Sequence, residues 1–300
     1  MLVQKTIKPF FIFIGICATL LCAACTTQST PIPASVLRAI KQEELKHNAR
    51  IGVVVLNHER QTLIDYKGNE RFPMNSTFKA FLCAAVLKKV DEHSLSLNEA
   101  IKFDKRNLIT YSPVVETILS GTTNPSELCN ATLTYSDNTA ANLLLSSIGG
   151  PLEFNRFMRS INDQTTRLDR KEPELNEATP GDLRDTTTPL AAAKSLHSIL
   201  LSDALQPLSK TQLTQWMMQN KVADALLRKA LPENWKIADR TGAGGHGSRS
   251  IIAAVYPPDQ KPMIIAIYIT QTSANTQETN DIIANIGDSI FTTHINKVIQ

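Results

Sequence analysis

The sequence predicts an α+β fold, an α/β sandwich in which one antiparallel sheet, built from both chain ends, is flanked by helices and carries an inserted all-helical lobe. Two observations predict it. Strand-like runs gather near the ends: Ile51 to Leu56 and Thr62 to Tyr66 at one, Lys236 to Asp239, Ile251 to Tyr256 and Met263 to Thr270 at the other. Between them, from about Phe78 to Met218, apolar residues mostly fall at helical spacing, interrupted by polar loops. The α/β lobe is expected over about 35–66 and 219–300, and the helical lobe over about 67–218.

Residues 1–24 have the pattern of an export signal peptide. Lys5 and Lys8 precede the apolar run Phe10 to Leu21, and the small residues Ala23 and Ala24 follow. That run is too short for a membrane span of roughly 20 apolar residues. The polar stretch Thr26 to Thr30 argues against a buried core helix. Ala23-Ala24-Cys25 is similar to a bacterial lipobox, whose cysteine is lipidated, with Cys22 standing where Leu is usual. Ordinary signal-peptidase cleavage nearby fits equally. The expected location is the periplasm, with Cys25 as the one candidate for a lipid anchor, and 25–300 as the mature domain.

After the signal, Ser35 to Asn48 has helical spacing, with Val36, Ile40 and Leu45 among charges. A polar turn around His58-Glu59-Arg60 joins the first two strands. Asp163 to Pro189 is the longest irregular stretch, and ordered loops of that length are often functional. A last helix is expected over Gln277 to Val298, with Ile282, Ile283, Ile286 and Ile290 on one face.

Composition excludes several classes. Removing Lys5 and Lys8 with the signal leaves 29 basic against 28 acidic groups, with no basic run, so a nucleic-acid partner is not expected. No His-Glu-x-x-His or Gly-x-Ser-x-Gly occurs, so neither a zinc hydrolase nor an ordinary Ser-His-Asp hydrolase is supported; no metal or cofactor is expected. Of the five cysteines, Cys83 and Cys129 remain as a pair for an oxidising compartment. A disulfide between them would close a long loop and contribute roughly 4 kcal/mol. Two buried free thiols are the alternative.

Three motifs carry chemistry. Ser76-Thr77-Phe78-Lys79 is the only Ser-x-x-Lys, and Lys79 is the sole charge from Phe78 to Leu87. On a helix the Ser76 hydroxyl and Lys79 amine share a face. A serine attacks poorly unless something takes its proton, and an amine in apolar surroundings has its pKa pushed down or needs an acidic partner. Ser136-Asp137-Asn138 looks by itself like a helix N-terminus. In combination, its second hydroxyl and amide can relay a proton and orient a substrate. Arg240-Thr241-Gly242-Ala243-Gly244-Gly245-His246-Gly247 contains Gly-x-Gly-x-x-Gly, but a strand follows it where a dinucleotide site needs a helix. A hairpin lining a cleft fits; from the residues alone Arg240 and Arg249 read either as solvated surface charges or as two fixed positive charges suited to an anionic substrate.

Ser-x-x-Lys, Ser-Asp-Asn and Lys/Arg-Thr-Gly, in this order, resemble the penicillin-recognising serine enzymes. The likeness runs from about Ser35 to the C-terminus. Arg71-Phe72-Pro73, Tyr111-Ser112-Pro113, Asp137 to Leu145 and Asp182 to Pro189 all look like class A β-lactamases. Glu172-Pro173-Glu174-Leu175-Asn176 is what separates hydrolysis from mere acylation, since an acyl-serine ester persists until a base activates water against it. The resemblance implies that Ser76 is the nucleophile, deprotonated by Lys79 or by Glu172 through a water, and that Glu172 activates the deacylating water held by Asn176. It implies an oxyanion hole from the backbone N–H groups of Ser76 and Ala243, with Gly242 beside it, and proton relay by Ser136. Asn138 would bind the substrate's side-chain amide, Arg240, Thr241 and Arg249 its carboxylate, and Tyr111 would wall the cleft. Arg170 and Asp185 match a loop-closing ion pair, and Cys83 with Cys129 a disulfide.

Most class A enzymes have Lys at the Arg240 position; Asp239 to Gly245 resembles the carbenicillin-hydrolysing subgroup, which implies a preference for penicillins and carboxypenicillins. The expected partner is a small-molecule β-lactam, and a monomer suffices. A D,D-peptidase sharing the serine chemistry is the nearest rival, and Glu172 argues against it. A non-catalytic penicillin receptor or cell-wall-binding lipoprotein would leave Ser76, Lys79, Ser136 and Glu172 together without a reason.

Overall fold

The computed structural model describes residues 1–4 and 31–299, with side chains to 296. All but the first four residues of the expected signal peptide, and Cys25, therefore lie outside the described residues.

Helix α1 (Ala34–His47) leads into the hairpin β1 (Arg50–Leu56) and β2 (Thr62–Tyr66). The short β3 (Phe72–Pro73) precedes α2 (Phe78–Asp91). After β4 (Ile101–Lys102) and β5 (Thr122–Thr123) come α3 (Pro125–Tyr135), α4 (Asn138–Ile148) and α5 (Pro151–Ser160). The long loop contains β6 (Thr186–Thr187) and gives way to α6 (Pro189–Leu201) and α7 (Pro207–Met218). The chain closes with β7 (Lys236–Ala243), β8 (Arg249–Tyr256), β9 (Met263–Thr270) and α8 (Thr276–Ile299).

Five strands form one antiparallel sheet in the order β2-β1-β9-β8-β7, so both chain ends build it, as the sequence predicts. Alternation along β9 shows how the sheet is covered. Met263, Ile265, Ile267 and Ile269 face a core shared with Val36 and Ile40 of α1 and Ile282, Ile283, Ile286 and Ile290 of α8. Ile264, Ala266 and Tyr268 face the other core, shared with α2, α4 and α6. A period of two thus places one strand in two cores. Helix α6 packs directly on β1, β8 and β9, although it falls within the span read as the helical lobe.

Helix α2 is buried continuously from Phe78 to Leu87. A helix apolar all round belongs in an interior, and here it is the axis around which α3, α4, α5 and α7 pack. Strand β7 differs from its predicted bounds. It continues past Asp239 through Arg240, Thr241, Gly242 and Ala243, each in register with β8. Ladder hydrogen bonds fix those residues as strand even though their side chains lack strand-like patterning.

The disulfide implied for Cys83 and Cys129 is not formed: both are free, fully buried thiols. They remain neighbours, with Cys83 Sγ donating to the Cys129 carbonyl oxygen at 4.0 Å. Burial pushes the Cys129 thiol well above its usual range, and contact with Cys83 adds to this, so it keeps its proton.

Gly52 on β1 leaves room for neighbours from two other elements. A Cβ there would stand 2.7 Å from the Phe72 ring and 2.7 Å from Pro189 Cγ. Gly52→Ala is expected to lower stability by about 1–3 kcal/mol through overpacking. Urea unfolding measures it; a variant as stable as wild type would mean that Phe72 and Pro189 yield without cost.

Candidate active site

Ser76 sits in a single turn of 3-10 helix, Asn75–Thr77, that feeds directly into α2. Thr77 Oγ1 donates to the Met74 carbonyl at 2.7 Å, and Asn75 adopts φ 46°. On the far side stands β7, and a Cβ on Gly242 would lie 2.8 Å from the Ser76 nitrogen. Glycine at this position keeps the space beside the Ser76 N–H open.

One helical turn later, Lys79 is wholly buried. Its Nζ donates to Asn138 Oδ1 at 2.6 Å, to the Ser136 carbonyl at 2.9 Å and to Ser136 Oγ at 3.3 Å. Glu172 Oε1 lies 3.0 Å away. Every one of these neighbours can accept, as an ammonium requires. Burial draws the Lys79 pKa down to about 8; Glu172 opposes the fall and Arg240 adds to it. The amine is therefore mostly charged at neutral pH and loses its proton on passing upward through about 8.

Glu172 is buried as well, and Ser76 Oγ donates to its Oε1 at 3.3 Å. Asn176 Nδ2 donates to the other carboxylate oxygen. Asn142 of α4 grips the Glu172 backbone from both sides. Its Oδ1 accepts from the Glu172 N–H at 3.0 Å, and its Nδ2 donates to the Glu172 carbonyl at 2.8 Å.

The loop carrying Glu172 is pinned at its base. Asp185 accepts from Arg170 Nε at 2.6 Å and from the backbone N–H groups of Asp169 and Arg170 at 2.7 and 2.9 Å. Its carbonyl accepts from Met74 N–H at 2.9 Å, and β3 pairs with β6, so the loop base is stitched to the Ser76 turn. At the tip, Gly245 N–H donates to the Asn176 carbonyl at 2.8 Å.

The opposite wall is the turn between α3 and α4. Ser136 takes the left-handed conformation at φ 65°. Asp137 caps α4, accepting from Ala140 N–H at 2.8 Å, and also accepts from the N–H groups of Val114 and Val115 at 2.9 Å. The helix-cap reading of Ser-Asp-Asn thus holds for Asp137, while Ser136 and Asn138 turn toward Lys79. Asn138 Nδ2 is held by the Thr110 carbonyl at 2.9 Å, leaving Oδ1 for Lys79.

Arg240 crosses from β7 to this wall and donates through Nη2 to Ser136 Oγ. Its Nε and Nη1 are buried without acceptors. Since Ser136 Oγ accepts from both Arg240 and Lys79, its own proton is left to point elsewhere. Arg249 is held by Asn280 Oδ1 at 2.8 Å and the Gly242 carbonyl at 2.9 Å. Burial brings both guanidinium pKa values down to about 10, still leaving them charged at neutral pH.

These groups surround a cleft of about 400 Å³. Ser76, Tyr111, Ser136, Asn138, Asn176, Thr241, Gly242, Ala243 and Arg249 line it; Lys79, Glu172 and Arg240 lie beneath its floor. Sequence reasoning missed Val222 and Thr276 in the lining, and Asn142, which fixes Glu172 from outside the cleft. Asn142 carries no local signal, being one polar residue in an amphipathic helix. Among the described residues no cluster of three or more His, Cys, Asp or Glu is placed to hold a metal. Asn142→Ala leaves the Glu172 N–H and carbonyl without partners. A stability loss of about 1–3 kcal/mol is expected, with faster amide exchange around Glu172; unchanged exchange there would show that Asn142 does not hold the loop.

A beta-lactamase enzyme family model matches residues 35–294. Beta-lactamase AER-1 of Aeromonas hydrophila is 52% identical over 91% of each chain. Beta-lactamase PSE-4 of Pseudomonas aeruginosa is 47% identical over 84% of this chain and 88% of that one. An ancestral (GNCA) class A beta-lactamase superposes with a TM-score of 0.84 at 45% identity, covering 86% of this chain and 99% of its own. The chromosome-encoded beta-lactamase of Vibrio parahaemolyticus does so with a TM-score of 0.83 at 44% identity, covering 86% and 98%. With a serine hydroxyl, a buried amine and a loop-borne carboxylate meeting under one cleft, the chain belongs to the beta-lactamase enzyme family, as a class A serine β-lactamase that hydrolyses β-lactams.

Proposed function

We propose that the enzyme opens penicillin-type rings through an acyl-serine intermediate and releases the product with a Glu172-activated water. The observation that carries this is a single carboxylate oxygen, Glu172 Oε1, which lies 3.3 Å from Ser76 Oγ and 3.0 Å from Lys79 Nζ. Lys79, held as an ammonium by acceptors, is poorly placed to take a proton at neutral pH. The reading therefore gives the serine proton to Glu172.

Ser76 Oγ attacks the lactam carbonyl carbon as its proton passes to Glu172. The backbone N–H groups of Ser76 and Ala243 stabilise the oxyanion. The C–N bond breaks as Ser136 gives the leaving nitrogen a proton, replaced from Lys79. Glu172 returns its proton to Lys79 and then takes another from a water placed by Asn176. The hydroxide attacks the ester, and Ser76 regains its proton as the acid leaves.

Arg240, Thr241 and Arg249 receive the substrate carboxylate, Asn138 its side-chain amide, and Tyr111, 54% exposed at the rim, covers the ring. The positive charges of Arg240 beneath the floor and Arg249 in the lining favour substrates with more negative charge, so penicillins and carboxypenicillins are the preferred class. Residues 1–24 direct export, and hydrolysis in the periplasm gives resistance to these antibiotics.

Glu172→Ala removes the charge that holds the Lys79 pKa up, so the Lys79 amine takes over as a slower acylation base. Deacylation, with no base at its water, is expected to fall further, by about 10²–10⁴-fold, and a penicilloyl adduct to accumulate on Ser76, seen by intact mass with benzylpenicillin. Turnover at the wild-type rate with no adduct would overturn the assignment. Steady-state comparison is expected to give carbenicillin a kcat/KM about tenfold or more above that of cephalosporins; a ratio at or below one rules out the carboxypenicillin preference.

A further inference from the structure

The two walls of the cleft come from distant parts of the chain. One is β7, with Arg240, Thr241, Gly242 and Ala243; the other is the α3–α4 turn, with Ser136 and Asn138. The bond from Arg240 to Ser136 Oγ joins them at the floor. A second connection runs through three consecutive residues after α7.

Asn220 is buried to 1% exposure, and its Nδ2 donates to Asp239 Oδ1 at 2.7 Å and to the Asp239 carbonyl at 3.3 Å. Its Oδ1 accepts from the Val222 N–H at 3.1 Å, and Val222 lines the cleft. Between them, the Lys221 N–H donates to the Thr134 carbonyl at 2.8 Å, two residues before Ser136. The segment thus holds β7 by a side chain and the Ser136 wall by its backbone. Arg228 completes the arrangement. It donates to Asp239 Oδ2 at 2.8 Å and Oδ1 at 3.3 Å, and to the Met218 carbonyl at the end of α7 at 3.1 Å.

We propose that Asn220 is a positioning residue that sets the spacing between the β7 wall and the Ser136 wall, and so the fit of the substrate carboxylate against Arg240 and Thr241. The hydrogen bonds of Asn220 go to Asp239 and Val222, and neither Ser76 nor Glu172 is among its partners. Its influence is confined to the side of the cleft that receives the carboxylate, and the deacylation machinery lies on the other.

An amide is the group this position needs. It donates to the carboxylate of Asp239 while accepting from Val222, which a carboxylate at position 220 can do only with a proton on one of the two acids. Burial raises the Asp239 pKa against the pull of Arg228, and Arg228 and Arg240 are the charged groups facing it.

The test uses Asn220→Ala and the near-isosteric Asn220→Asp. It rests on the acyl-serine reading, so acyl-enzyme formation is verified first by the Glu172→Ala adduct; a missing adduct indicts that reading and not the role of Asn220. With benzylpenicillin, Asn220→Ala is expected to raise KM about tenfold, with the deacylation rate constant within about twofold of wild type. For Asn220→Asp the ratio of its KM to the wild-type KM at the same pH should be about tenfold at alkaline pH, where both acids ionise, and fall toward one at acid pH, where the pair holds one proton; the ratio cancels the titration of Lys79, which both proteins share. Unaltered KM in both variants overturns the proposal. So does a ratio for Asn220→Asp that is independent of pH, or a fall in deacylation that tracks loss of thermal stability, since a purely structural role would produce either.

Discussion

The contact between Lys79 and Glu172, both with side chains at 0% exposure, is the constraint on which the rest of the structure depends. Removing two charges from water costs several kcal/mol per ion unless the remaining hydrogen-bonding capacity is met. The ammonium therefore has Ser136 and Asn138 around it, and the carboxylate has Ser76 and Asn176. These partners come from the Ser76 turn, the α3–α4 turn and the long loop. Satisfying one ion pair fixes three separate pieces of chain against each other. The loop stays where it is because the Asp185 and Asn142 bonds hold its base and the Glu172 backbone.

A second electrostatic arrangement lies beside the first. Arg240 and Arg249 add two more positive charges to the cleft that Lys79 underlies, and burial lowers the pKa of all three. Asp239 would be the natural counter-ion for Arg240, but its carboxylate is taken up by Arg228 and Asn220. Beneath the cleft floor, Nε and Nη1 of Arg240 are left without acceptors. Buried donors without partners are costly, and such costs concentrate at functional sites.

Much of this was legible in the sequence, for identifiable reasons. Ser76 and Lys79 could be paired because helical geometry relates positions three apart, and the apolar setting of Lys79 announced its burial. The sheet was legible because its apolar strands cluster at the two ends of the chain. Glu172 could be singled out only by family resemblance, since its own neighbourhood reads as a charged surface loop. Asn142, Asn220 and Val222 were not legible at all. The two asparagines act through contacts between segments far apart in sequence, and such contacts leave no periodic or local trace; Val222 follows Asn220, which is bonded to Asp239 on β7. The end of β7 was misread for a related reason: backbone pairing with β8 makes Arg240 to Ala243 a strand, while their side chains are selected by the cleft. Cys83 and Cys129 are close in space, as expected, yet proximity alone did not make them a disulfide.

The place of β7 in the sheet has a further consequence. In the order β2-β1-β9-β8-β7 it is an outermost strand, with one side of its backbone free of any neighbouring strand. Such a rim is ordinarily a hazard, because any extended chain can pair with it and begin aggregation. Here the Ser76 turn packs against the same strand, and a Cβ at Gly242 would collide with it. The turn that carries the reactive serine therefore also occupies part of the sheet's open rim, and a stretch of edge that could recruit another chain is covered by the protein's own.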